Sequence, residues 1–147
     1  ATEFFESIPV VLLERGQAFY KENQYTGKQK LMLKPSSHLR GVDGRPLYLR
    51  ALHSAPNTLI QSLGAVVMKQ TTVLMFRGAK ERGWVLGKDW RCVAHVHDEM
   101  QCEVKVGLAE AFREMVLGCF NKAGEMLKLR VRIDGDSKIG MNWKETH

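Results

Sequence analysis

The stretch Val93-Ala94-His95-Val96-His97-Asp98-Glu99-Met100-Gln101-Cys102-Glu103-Val104 constrains this chain most, because two alternating, β-prone arms meet at a pair of acids. It predicts a hairpin. Pairing His97 with Met100 places Val93, His95, Cys102 and Val104 on one face, and Ala94, Val96, Gln101 and Glu103 on the other. Asp98 and Glu99 then form the protruding turn. Adjacent carboxylates repel unless a cation or a basic partner neutralises them, and hard oxygen ligands suit magnesium or manganese. His97, just before them, can donate to a phosphate or hydroxyl. A solvated acidic turn has the same composition, so both readings stand at this point. One such pair does not complete a two-metal centre, where carboxylates from more than one strand bridge ions about 3.5–4 Å apart.

The rest of the chain predicts helices and strands in mixture. Phe4, Phe5, Ile8, Val11, Leu12, Phe19 and Tyr20 give an irregular helical pattern over 3–22, with the helix starting near Ser7 and Pro9 marking a start or a kink. Gln29–Leu33 alternates as a strand, and His38–Val42 and Pro46–Arg50 flank Asp43-Gly44 as a hairpin whose glycine supplies positive φ. A long helix is expected from Ser54, as cap, to Lys80, with Pro56 in its first turn. His53, Asn57 and Gln61 are spaced by four, so if helix geometry reaches His53 they form one polar stripe; a plain solvated face would look alike. Leu108 to Leu127 repeats at helical spacing as a packing helix, Leu129–Ile133 alternates as a strand, and Asp134-Gly135-Asp136 reads as a turn.

Composition narrows the partner more than the fold. The net charge of +6 favours an acidic ligand, nucleic acid foremost, and Lys28, Lys30, Lys34, Arg40, Arg45 and Arg50 concentrate in one segment that could neutralise phosphates or simply be solvated. No uninterrupted apolar run approaches ~18 residues, so no membrane partner is expected. The amino terminus lacks a secretory pattern, and a cytoplasmic location is expected. Cys92, Cys102 and Cys119 have no Cys-x-x-Cys spacing and are expected as reduced thiols. Neither an EF-hand nor a Walker-type phosphate loop is present.

His97-Asp98-Glu99 resembles the third conserved motif of family A DNA polymerases, the DNA polymerase I type. Gly41-Val42-Asp43-Gly44-Arg45-Pro46-Leu47-Tyr48-Leu49-Arg50, then Asn57-Thr58-Leu59-Ile60-Gln61-Ser62-Leu63-Gly64-Ala65, is similar to the preceding segment in replicative polymerases of short-tailed phages. Lys138-Ile139-Gly140-Met141-Asn142-Trp143 with His147 looks like their tail. The resemblance implies an α+β fold, an antiparallel palm sheet with packed helices forming an incomplete palm/fingers segment. It implies one segment over 1–147: a helix and hairpin entering the palm to residue 52, then a long helix, acidic hairpin, helix, strand and tail.

By resemblance, Asp98 and Glu99 are metal ligands in a Mg2+ site, His97 positions the primer terminus, and His53, Asn57 and Gln61 contact the minor-groove edge of the primer-template end, with Arg50 a further DNA-binding residue. His53 departs from the DNA polymerase I pattern, which has Arg there. The implied partners are primer-template DNA, deoxynucleoside triphosphates and a larger amino-terminal subunit. That subunit would carry the first palm carboxylate and the fingers helix, which lie upstream in the family. Division by separate coding, proteolysis or protein splicing would leave the same sequence. In a phage the setting would be the bacterial host's cytoplasm. The expectation is a carboxy-terminal subunit or fragment of a split DNA-directed DNA polymerase. A non-catalytic basic DNA-binding remnant is the alternative, and a nuclease using Asp98 and Glu99 is a weaker rival because no second carboxylate pair is visible.

Overall fold

A computed structural model describes residues 2–146, with side chains from Ser7 onward. The side chains of Phe4 and Phe5, and His147 altogether, lie outside the described residues. The element types are mixed, helices with small antiparallel ladders, and the chain divides into two compact units, Ala1–Leu63 and Gly64–His147.

In the first unit, helix α1 spans Thr2–Glu14 and strand β1 spans Ala18–Glu22, so the helical pattern expected to residue 22 is cut short. Gly16, at φ 64°, ends the helix in a conformation that glycine adopts without a Cβ penalty. Beyond it, Ala18, Phe19 and Tyr20 pair with β2, Gln29–Leu33, in the register Ala18↔Leu33 to Glu22↔Gln29. The hairpin around Asp43-Gly44 is present with shorter arms, β3 at His38–Arg40 and β4 at Pro46–Tyr48. Gly44 takes φ 82° and donates its N–H to the Gly41 carbonyl. Ile8, Leu12, Ala18, Leu39 and Ala55 form this unit's core, with Leu31, Leu33 and Leu59 packed against it.

A 3-10 turn, Leu52–Ser54, leads into helix α2, Ala55–Glu81. Its span matches the sequence expectation, with one local difference: the Ser54 hydroxyl donates back to the Ala51 carbonyl at 2.7 Å instead of capping α2. By length and mean hydropathy, 1.3 over its best window, Leu52–Glu81 is long and apolar enough to cross a bilayer. The window is apolar on average only, because Lys69, Gln70, Thr71 and Thr72 interrupt it. Core helices of water-soluble proteins pass the same test.

The second unit is built on strands β5, Trp90–Val96, and β6, Glu99–Val104, with helix α3, Ala109–Met126. Met75, Trp90, Phe112, Met115, Cys119 and Ala123 make its core, and Cys92, Met100, Cys102 and Val104 pack onto it from the hairpin. Trp90 meets Phe76 edge to face and Phe112 at a tilt, with ring centroids 4.9 and 5.2 Å apart. Leu129–Ile133 forms no strand, contrary to its alternation. Instead the tail lies on α3: a Cβ on buried Gly124 would meet Ile133 at 3.0 Å, and one on Gly135 would meet the Phe120 ring at 3.0 Å. A strand needs a neighbour's edge, and packing against α3 has taken its place. Residues 134–136 are likewise irregular, with the N–H groups of Gly135 and Ser137 held by the side chains of Asp134 and Asp136. A short helix α4, Trp143–Thr146, closes the described chain.

Candidate active site

The acidic hairpin exists, but its turn is one residue earlier than the sequence pairing placed it. Val96 pairs with Glu99 and His95 with Met100, so the two loop residues are His97 and Asp98, and Glu99 opens β6. A second correction follows from an irregularity between Cys92 and Ala94 that leaves Val93 without a partner. The extra residue restores the alternation, so the inward row is Trp90, Cys92, Met100, Cys102 and Val104, while Val93 is half exposed. The sequence pattern had placed Val93 inward with Cys102 and Val104 because a strict two-residue period cannot show a bulge.

His97 adopts φ 53°. Positive φ at the first of two hairpin loop positions is the pattern in which glycine is preferred, so a histidine there holds strain of order 1–3 kcal/mol. The hairpin is anchored on the core through Cys92, Met100, Cys102 and Val104. At its base Arg91 and Glu103 pair across the strands at 2.6 Å, and the Asp89 carboxylate accepts the Val85 N–H at 2.9 Å.

His97 and Asp98 are exposed, whereas Glu99 is half-buried. The Gln101 amide donates to Glu99 Oε1 at 2.5 Å, and its own Oε1 accepts the Thr146 hydroxyl at 3.3 Å, which fixes Glu99 through a short chain reaching α4. Asp98 and Glu99 line a cavity of about 390 Å³ whose wall also includes Arg113, Asp136 and Lys138. Arg113 and Lys138 carry no site signal in the sequence, and Asp136 offers a carboxylate there but reads as turn chemistry more than as a metal site. They lie far along the chain and come together only because α3 and the tail fold past the hairpin. Arg113 pairs with Glu110 at 3.0 Å while its Nε is buried without a partner.

The donor chemistry of Asp98, in the turn, and Glu99, at the start of β6, fits a hard divalent cation, since both are carboxylates. The number of donors is short: among the described residues no group of three or more His, Cys, Asp or Glu side chains could hold a metal ion. Asp98 and Glu99 alone do not make a complete ligand set.

In the first unit His53 lies in the 3-10 turn and Asn57 and Gln61 on α2, all three exposed, as is Arg50. Asn57 and Gln61 share a face of α2, whereas His53 lies in the tighter 3-10 turn before it, where the α-helical spacing by four does not apply.

Residues 3–145, which include the acidic hairpin and the helix packed on it, match DNA polymerase family A. The chain belongs to that family. It is 31% identical to the DNA-directed DNA polymerase of Enterobacteria phage T3 and 30% identical to that of Escherichia phage T7, in each case over 97% of this chain and 20% of the relative. With the enzyme of Escherichia phage Phieco32 it shares 35% identity over 75% of this chain and 18% of the relative. Among solved structures, the POL domain of Pol1 from M. smegmatis, in complex with DNA primer-template and dNTP, has a similar fold: TM-score 0.53 and 20% identity, over 83% of this chain and 19% of that one. The chain thus spans about a fifth of the length of these phage relatives.

Proposed function

We propose that this segment supplies the His97-Asp98-Glu99 hairpin of a template-directed DNA polymerase of family A, acting in DNA replication. The carrying observation is a carboxylate pair, Asp98 in the turn and Glu99 opening β6, on a core-anchored hairpin in a chain of that family. Asp98 and Glu99 would hold magnesium together with ligands from polypeptide outside these 147 residues, such as a larger amino-terminal subunit. The ion, when bound, supplies positive charge that acidifies a primer 3′-hydroxyl and neutralises the departing pyrophosphate. Asp98, exposed at the tip, is the residue placed to share that charge with a partner. Glu99, oriented by Gln101, supports it. The His97 imidazole, held by its turn, positions the primer terminus by a hydrogen bond. On the other unit, Asn57 and Gln61 offer side-chain amides to minor-groove acceptors common to all base pairs, flanked by His53 and Arg50.

The test is reconstitution with a polypeptide carrying the remaining palm and fingers. Primer extension is expected from the mixture and from neither part alone. Asp98→Ala is expected to lower extension by about a hundredfold or more while primer-template binding persists. An Asp98→Ala mixture that extends at the normal rate would overturn the assignment. Binding without extension by the unaltered mixture would favour the non-catalytic remnant.

A further inference from the structure

The β1–β2 ribbon of the first unit has a face that the hairpin chemistry does not use. Antiparallel pairing puts Phe19 opposite Met32 and Lys21 opposite Lys30, all four on the side away from Ala18, Leu31 and Leu33, which face the core. Phe19 is 42% exposed and Met32 37%, and both lysines are exposed. Like charges directly opposite across a ladder are unfavourable, and the exposed part of the Phe19 ring leaves apolar surface in water that a ligand could cover. Neither lysine forms an ion pair among the described residues. The only acid in either strand, Glu22, belongs to the opposite face with Tyr20 and Gln29.

The ribbon's end is well defined. Asn23 Oδ1 accepts the N–H groups of Tyr25 and Thr26 at 2.9 and 3.1 Å, and the Asn23 N–H donates to the Lys28 carbonyl at 2.9 Å. This turn holds Tyr25 almost fully in solvent, 97% exposed. The ribbon thus carries a partly open ring and a thioether, then two facing cations, and a fully open ring at the tip.

We infer that this outward face binds single-stranded DNA, with an unpaired base stacked on Phe19 and the adjoining phosphates held by Lys21 and Lys30. Aromatic rings beside uncompensated cations are the arrangement that recognises a single strand without regard to sequence. A duplex is disfavoured as occupant, since its base faces are already stacked. An acidic peptide would satisfy the lysines and leave the ring without a partner.

The inference is independent of the Asp98 hairpin and is measured without metal or nucleotide, so the two readings fail separately. The experiment is fluorescence anisotropy of the 147-residue chain with labelled oligodeoxythymidylate, an abasic oligomer of equal length, and polyglutamate. Phe19→Ala is expected to weaken oligodeoxythymidylate binding about tenfold and leave the abasic oligomer unaffected. Phe19→Leu, which keeps an apolar side chain and removes the ring, should behave like Phe19→Ala. Lys21→Glu combined with Lys30→Glu should weaken both oligomers about tenfold or more and flatten the salt dependence. Unchanged urea midpoints would confirm that the variants are folded. Folded variants that bind as the unaltered chain does would overturn the proposal, as would polyglutamate binding as tightly as the oligonucleotide.

Discussion

At the scale of single residues, His97 and Cys102 show how one hairpin combines strain with stability. The positive φ of His97 is a conformation glycine adopts freely, so His97→Gly removes a local penalty while it deletes the imidazole. The expected result is a hairpin more stable by about 1 kcal/mol, after allowance for the added entropy of glycine in the unfolded chain. Urea unfolding reads that gain, and a fall in stability would remove the argument that the turn is strained. Cys102 faces Cys92 across the ladder. Burial, with a lesser contribution from Cys92, pushes its thiol from 9.0 up to about 12. A raised folded-state value favours the neutral form, so its contribution to stability is complete below 9.0 and is lost as pH rises toward about 12. Comparing unfolding midpoints of the unaltered chain and Cys102→Ala across that window isolates this group from titrating lysines. The unaltered chain should lose more stability than the variant, and parallel curves would count against a buried neutral thiol.

At the scale of elements, α2 carries two glycines whose substitution should have opposite signs. A Cβ on Gly64 would meet nothing within 4 Å, whereas one on Gly78 would come within 2.9 Å of the buried Met115 Sδ. Gly64→Ala therefore adds helix propensity alone and should stabilise by about 0.5–1 kcal/mol. Gly78→Ala gains the same propensity against an overpacking cost of about 1–3 kcal/mol and should destabilise. Thermal unfolding of the two variants checks the sign, and equal shifts would deny the close approach of α2 to α3. The long helices were legible in the sequence because their apolar residues recur every three or four positions. β1 was not, because Ala18, Phe19 and Tyr20 continue a helical pattern; Gly16 was the available stop signal. The alternating Leu129–Ile133 misled for the opposite reason, since alternation shows a capacity for pairing and cannot supply a partner strand. Asp98 and Glu99 were legible as a pair of acids at a hairpin end, and as a polymerase motif only through resemblance. Arg113, Asp136 and Lys138 meet them through tertiary folding, which no local pattern records.

At the scale of the whole molecule, the charge balance sets the last test. A chain of net charge +6 that binds a polyanion displays its acids to that ligand only at an energetic cost, unless a cation intervenes. Without metal, Asp98 at the exposed tip would repel a primer-template phosphate backbone brought to the hairpin. Asp98→Asn removes one negative charge and nearly preserves shape. In chelator the variant should therefore bind primer-template DNA more tightly, by about 1 kcal/mol or roughly fivefold, the size of a unit-charge interaction at a few ångströms in water. With magnesium and the reconstituting polypeptide, the same variant should fail to extend a primer. Tighter metal-free binding joined to lost extension is what the proposed site requires, because a carboxylate remote from the duplex would change neither. A solvated acidic turn would leave both affinity and its salt dependence as they were, and filter binding over a salt series would show it directly.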